Sequence, residues 1–67
     1  MSVGERIKYY RVEAGLSQAD LDRKAIVGLD FLSKLENNKI PNIRMSKLLR
    51  LSKALNISLE KIAGSFS

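Results

Sequence analysis

Residues 15–37, GLSQADLDRKAIVGLDFLSKLEN, hold two short stretches with helical apolar spacing, separated by only a few residues. That leaves two helices packed across a tight turn, and the remaining chain must be built around them. The first helix has a marked start. Ser17 is placed to accept a hydrogen bond from the backbone N–H of Asp20, and Asp20 sits where a helix dipole favours an acid. Leu16 before the cap and Leu21 at the fourth helical position make a hydrophobic staple, while Leu21 and Ala25 share a buried face. In the second stretch Leu32 and Leu35 lie on one stripe, Val27 plugs the turn, and Leu29, Asp30, Ser33 and Lys34 point elsewhere. One stripe anchors, and the other faces outward.

Periodicity and punctuation extend the map. A first helix spans about 3–13, with Val3, Ile7, Tyr10 and Ala14 on its buried side and Gly15 as a left-handed stop. Helices at about 18–25 and 29–37 follow, then a loop at 38–42 containing the only proline, Pro41. Asn42 is expected to cap a fourth helix at about 43–55, and Asn56 to end it. Ser58 caps a short fifth helix at 59–63, with Glu60 near its positive end, and 64–67 are expected to fray. There is no strand signal, repeat or low-complexity tract. The expected fold is all-α: one domain over 1–67, a compact bundle of about five short helices.

Size and composition exclude several classes of function. A chain of 67 residues buries only about 60% of its unfolded surface, which argues against a large catalytic cleft beside a complete core. Cysteine and histidine are both absent, so thiolate or imidazole metal sites and histidine acid–base chemistry are not expected, and neither a metal nor a cofactor is assigned. No apolar run approaches the roughly 18 residues of a membrane span, and the N-terminus lacks the apolar core of a signal peptide. Asp20 and Asp22 point in neighbouring helix directions without a nucleophile–base pair, so no enzyme is expected.

Charge is uneven along the chain. Residues 1–33 balance five basic side chains (Arg6, Lys8, Arg11, Arg23, Lys24) against five acidic ones (Glu5, Glu13, Asp20, Asp22, Asp30). Between 34 and 53, Lys34, Lys39, Arg44, Lys47, Arg50 and Lys53 face only Glu36, which accounts for the whole net charge of +5. Such a stretch suits the neutralisation of phosphates. Lys47, Arg50 and Lys53 also fit the solvated face of an amphipathic helix, opposite Leu48, Leu51 and Leu55.

The order Leu16-Ser17-Gln18, Leu21, Lys24-Ala25, Val27, Leu32-Ser33-Lys34-Leu35-Glu36-Asn37 resembles the helix-turn-helix of the lambda-repressor-like family, also called Cro or XRE-type. Gly4-Glu5-Arg6-Ile7 with Arg11 is similar to the family's first helix, and Leu48 to Leu59 to its last two, so the likeness covers nearly the whole chain. The resemblance implies a sequence-specific double-stranded DNA-binding transcriptional regulator, cytoplasmic and of bacterial or phage origin. It would bind a palindromic operator as a homodimer, with its third helix in the major groove and no small-molecule ligand. A protein-interaction module, such as an antitoxin or co-regulator with secondary DNA binding, is the alternative.

Site residues follow from that resemblance and from side-chain chemistry. Gly28, Leu29, Asp30, Ser33 and Lys34 are the base-reading candidates. Leu29 either meets thymine methyls or packs on neighbouring turns; Asp30 either accepts from a cytosine amino group or only complements the helix N-terminus. Gln18, Phe31, Asn37, Lys39 and Arg44 are the phosphate-side candidates. Asn37 either touches a phosphate, as the resemblance implies, or caps the helix, or does both, and Phe31 either covers a sugar–phosphate edge or fills a gap beneath the loop. Arg11 and Glu36 match the family's enclosed ion pair, which orients the third helix. Ile57, Leu59, Ile62 and Phe66 are the expected dimer surface. The family turn carries glycine where this chain has Ile26. A β-branched residue resists positive φ, so Ile26 is expected to stay negative while Gly28 absorbs the unusual torsion.

Overall fold

Three serines open three of the helices. In a computed structural model that describes residues 1–64, Ser2, Ser17 and Ser58 each take extended backbone and accept from the amide N–H three residues on. These hydroxyls satisfy N–H groups that a helix start would otherwise leave without a partner. Ser2 and Ser17 complete reciprocal capping boxes, because Glu5 and Asp20 return a carboxylate oxygen to the cap backbone at 2.8 and 3.0 Å. The resulting helices are α1 (Val3–Glu13), α2 (Gln18–Ala25), α3 (Leu29–Glu36), α4 (Met45–Leu55) and α5 (Leu59–Ala63).

The stops are equally local. Gly15, Asn38 and Asn56 adopt positive φ just beyond α1, α3 and α4. At each, two crossed backbone bonds run back into the last turn, for example Leu16 N–H to Arg11 C=O at 3.0 Å and Lys39 N–H to Lys34 C=O at 2.8 Å. This double closure is the Schellman motif, and glycine and asparagine are the residues that enter its left-handed position most readily.

Packing comes from one apolar cluster. Ile7, Leu21, Leu32, Leu51 and Ile62 are fully buried, with Ala25, Val27, Leu35, Leu48 and Leu55 around them. At α1 the helix stripe is narrower than expected: Ile7 is buried, Val3 and Tyr10 are half-buried, and Ala14 is exposed. Gly4 lets α1 and α3 meet at close range. A Cβ there would sit 1.8 Å from the carbonyl oxygen of Leu35, so no larger residue fits without moving backbone. The Ser52 hydroxyl donates to the carbonyl of Ile57 at 2.6 Å and ties the bend between α4 and α5.

Three expectations are corrected. Asn42 does not cap α4; Arg44 occupies the cap position without a side-chain bond, and the helix begins at Met45. Ile40 and Ile43 pack on the core from the loop, which keeps the chain extended past Asn42. Second, Ile62 is fully buried among the core residues and is no surface for a partner, because α5 lies against both α1 and α4. Ile57 and Leu59 are half-buried against the same core, and Phe66 lies outside the described residues. Third, Gly64 does not fray: it is buried, closing α5 with a bond from its N–H to the Glu60 carbonyl at 2.8 Å. Among the described residues no helix is long and apolar enough to cross a membrane.

Candidate nucleic-acid interface

The buried stripe of α3 determines what its other side can offer. Leu32 and Leu35 are held in the core, which leaves Leu29 48% exposed and Asp30 and Lys34 in solvent, with Ser33 half-buried between them. Asp30 and Lys34, one helical turn apart, form an ion pair at 3.1 Å. An exposed pair of this kind contributes only about 0.3–0.5 kcal/mol, so either partner is readily drawn to another group.

The far end of α3 is anchored from two sides. Glu36, 3% exposed at its side chain, accepts from Arg11 Nε at 2.8 Å and Arg11 Nη2 at 2.9 Å. Arg11 also donates through Nη1 to the carbonyl of Leu16 at 2.8 Å. The hydrogen bonds that Arg11 donates to Glu36 hold its guanidinium above its usual range; burial opposes this and charge attraction adds to it. The ion pair expected between α1 and α3 is thus present in bidentate form.

Gln18, at the first turn of α2, joins the same group. Its amide Nε2 donates to Glu36 Oε1 at 3.1 Å, which brings the start of α2 beside the end of α3. Asn37 caps α3, donating its amide to the Ser33 carbonyl at 2.8 Å. Its side-chain oxygen makes no hydrogen bond among the described residues. Asp20, which completes the cap of α2, is lowered below the usual carboxylate range, first by the bond from the Ser17 backbone and then by the Ser17 hydroxyl.

Several cations follow α3 along the chain. Lys39, Arg44, Arg50 and Lys53 are exposed and form no ion pair among the described residues. Phe31 is half-buried against the core, and the Lys47 ammonium sits 4.1 Å above its ring centroid. That geometry matches Phe31 filling a gap, with its ring holding a positive charge beside α3. The Lys47–Phe31 stack was not anticipated; Lys47 was expected either in a phosphate-neutralising stretch or on the solvated face of α4. Its signal in the sequence is a cation and an aromatic side chain 16 positions apart, a separation that becomes a contact only once the fold is known.

The turn between α2 and α3 departs from expectation. Gly28 takes φ of 101°, as anticipated, but Ile26 also turns left-handed, with φ 53° and ψ 58°, and its side chain is 73% exposed. For a β-branched residue this costs roughly 1–2 kcal/mol. The Asp22 carbonyl accepts from the Ile26 N–H at 2.7 Å, while Asp22 Oδ1 accepts from the N–H groups of Val27 and Gly28 at 3.1 and 2.7 Å. On the other side Arg50 Nη1 donates to the Ile26 carbonyl at 3.1 Å. Hydrogen bonds to charged groups contribute about 1.5–3 kcal/mol each, and burial of Val27 adds more, so the turn's partners outweigh its strain. Asp22 was missed as a site residue. The available signal was an acid in the second half of a helix, where the dipole disfavours it unless another partner holds it there.

Comparison with known proteins bears directly on this arrangement. Residues 7–62 match the sequence profile of the helix-turn-helix family. The HTH-type transcriptional regulator SinR of Bacillus subtilis (strain 168) and that of Bacillus licheniformis are each 37% identical to the chain over 60 residues, 90% of its length and 54% of theirs. The chain therefore spans about half the length of the curated relatives it matches. The crystal structure of SinR in complex with DNA superposes with a TM-score of 0.86 at 37% identity, over 90% of this chain and 95% of that one. The SinR/SinI complex gives a TM-score of 0.86 at the same identity, over 90% of this chain and 58% of that one.

Proposed function

The chain belongs to the helix-turn-helix family, in its Cro/XRE-type branch, and from that we propose that it is a sequence-specific DNA-binding transcriptional regulator that inserts α3 into the major groove. The observation that carries this reading is the outward row of α3. Leu29, Asp30 and Lys34 lie exposed, with Ser33 beside them, over a stripe of Leu32 and Leu35 that fixes the helix in the core. SinR, which shares this fold, has been solved bound to DNA.

In this reading Lys34, Asp30, Ser33 and Leu29 meet base edges, with Gly28 allowing close approach of backbone. The Asp30–Lys34 pair opens as each partner finds a base: Lys34 a guanine acceptor, Asp30 a cytosine amino group. Gln18, Asn37, Lys39 and Arg44 contact phosphates and set the register, and the stacked Lys47 adds charge on the same side. Two copies bind a two-fold-related operator, with half-sites about one turn, roughly 34 Å, apart. The long dimension of the molecule, 32 Å, allows one copy per half-site. Ile57 and Leu59, both half-buried, supply the apolar edge of the contact between copies. The chain acts where bacterial or phage DNA lies, in the cytoplasm, and as a regulator rather than an enzyme. SinR has also been solved with SinI, which favours a second reading in which this chain is chiefly a protein-interaction module with secondary DNA binding.

Selection of binding sites from random duplex DNA tests the main reading. The expected result is an enriched palindrome whose affinity falls steeply with salt, at a log–log slope near −0.9 per phosphate contacted. No enrichment, together with salt-insensitive binding to a protein partner, would put the second reading in its place.

A further inference from the structure

We infer that Asp22 and Arg50 are positioning residues for DNA recognition, gripping the α2–α3 turn from opposite sides and so setting where the reading face of α3 begins. The inference rests on the DNA-binding reading above and adds to it two residues outside the reading row.

The argument starts from Ile26. Its left-handed backbone is the hinge at which the chain leaves α2, and Gly28, two residues later, is the cap of α3. Little in the isoleucine side chain favours that conformation, since it is largely exposed and β-branched. The conformation is held instead by neighbours. Asp22 accepts three successive N–H groups, those of Ile26, Val27 and Gly28, the first on its carbonyl and the other two on one carboxylate oxygen. Arg50 reaches across from α4 to the Ile26 carbonyl. Four hydrogen bonds thus define the turn immediately before Leu29 and Asp30, the first candidates to meet bases. Without the clamp, Ile26 is expected to relax toward negative φ, which re-aims the first turn of α3 while Leu32 and Leu35 still hold its middle in the core.

Asp22→Ala, Asp22→Asn, Arg50→Ala and the double variant Asp22→Ala with Ile26→Gly separate positioning from other roles. Two measurements are made on folded protein: amide hydrogen exchange at Val27 and Gly28, and affinity for the duplex selected by the unaltered chain relative to a scrambled duplex of equal composition. Asp22→Ala is expected to speed exchange at both amides at least tenfold and to lower the selected-to-scrambled ratio about tenfold, with scrambled-duplex binding unchanged. Adding Ile26→Gly should restore that ratio to within about threefold while exchange stays fast, because glycine enters the left-handed region unaided. Arg50→Ala should lower the ratio with no change in salt slope; a slope reduced by about 0.9 would mark Arg50 as a phosphate contact and remove it from the clamp.

Unchanged exchange in Asp22→Ala overturns the clamp, and fast exchange with an unchanged ratio overturns its role in recognition. Should that variant not fold, Asp22→Asn decides. Its neutral oxygen accepts more weakly, so exchange is expected to rise about threefold and the ratio to fall in step; no change in either overturns the proposal. If the unaltered chain selects no duplex, the DNA-binding reading fails, and exchange on the free protein still tells whether the clamp exists.

Discussion

Glu36 is one carboxylate with three donors, two from Arg11 and one from Gln18, and it is nearly closed to water. Removing its charge leaves Arg11, 12% exposed, without compensation, which costs about 3–5 kcal/mol for a buried pair. Glu36→Gln is therefore expected to lower Tm by more than about 10 °C in a domain of this size and to weaken DNA binding, both checked by thermal unfolding and titration. An unchanged Tm would show that the pair carries no weight. Acid acts on other residues. Glu5 and Asp20 are both held below the ordinary carboxylate range, chiefly by bonds from the Ser2 and Ser17 backbones. A lowered folded-state pKa means that the stabilisation is full above the unfolded value near pH 4 and fades as pH falls through the folded one. Acid unfolding curves should accordingly show a shallower decline below about pH 4 for Glu5→Gln with Asp20→Asn than for the unaltered chain. The Ser17–Asp20 cap and the Arg11–Glu36 pairing were legible in the sequence, because each depends on residue type at a known spacing or on a family position. The left-handed Ile26 was not. Its local preference points the other way, and the Arg50 that helps to overrule it lies 24 positions along the chain.

At the level of elements, the close approach of α1 and α3 hinges on Gly4. Its missing side chain leaves room for the Leu35 carbonyl, which belongs to the same helix that carries the outward row of Leu29, Asp30, Ser33 and Lys34. Gly4→Ala is expected to destabilise by about 3 kcal/mol or more, at the upper end of overpacking effects, since the obstacle is backbone rather than a side chain able to turn away. Denaturant unfolding measures this; a loss below about 1 kcal/mol would mean that the two helices separate easily. Helix positions were largely readable beforehand, as serine caps, left-handed glycine or asparagine stops and apolar spacing are local signals. The start of α4 was not readable. Asn42 has the chemistry of a cap, but the path of the loop is set by Ile40 and Ile43 reaching the core, which spacing within the loop does not reveal. Ile62 was misplaced for a related reason. A five-residue helix shows too little period to tell its inner face from its outer one.

For the whole molecule, charge and core are segregated. The apolar cluster joins all five helices, while the net +5 arises from residues 34–53, beside and after α3. Lys39 is exposed and unpaired among the described residues, so Lys39→Gln is expected to reduce the log–log salt slope by about 0.9 per subunit and to weaken selected and scrambled duplexes alike. Titrations at several salt concentrations check this, and an altered sequence preference would instead make Lys39 a base reader. On the proposed reading the Asp30–Lys34 pair acts on a different quantity, time. If α3 meets bases as proposed, a duplex that offers Asp30 no hydrogen-bond donor would leave the carboxylate on the ammonium and repelling the strand, so contact would be brief. Dwell would then be reserved for the step that separates the two charges, and the acid on α3 would favour fast search over tight grip.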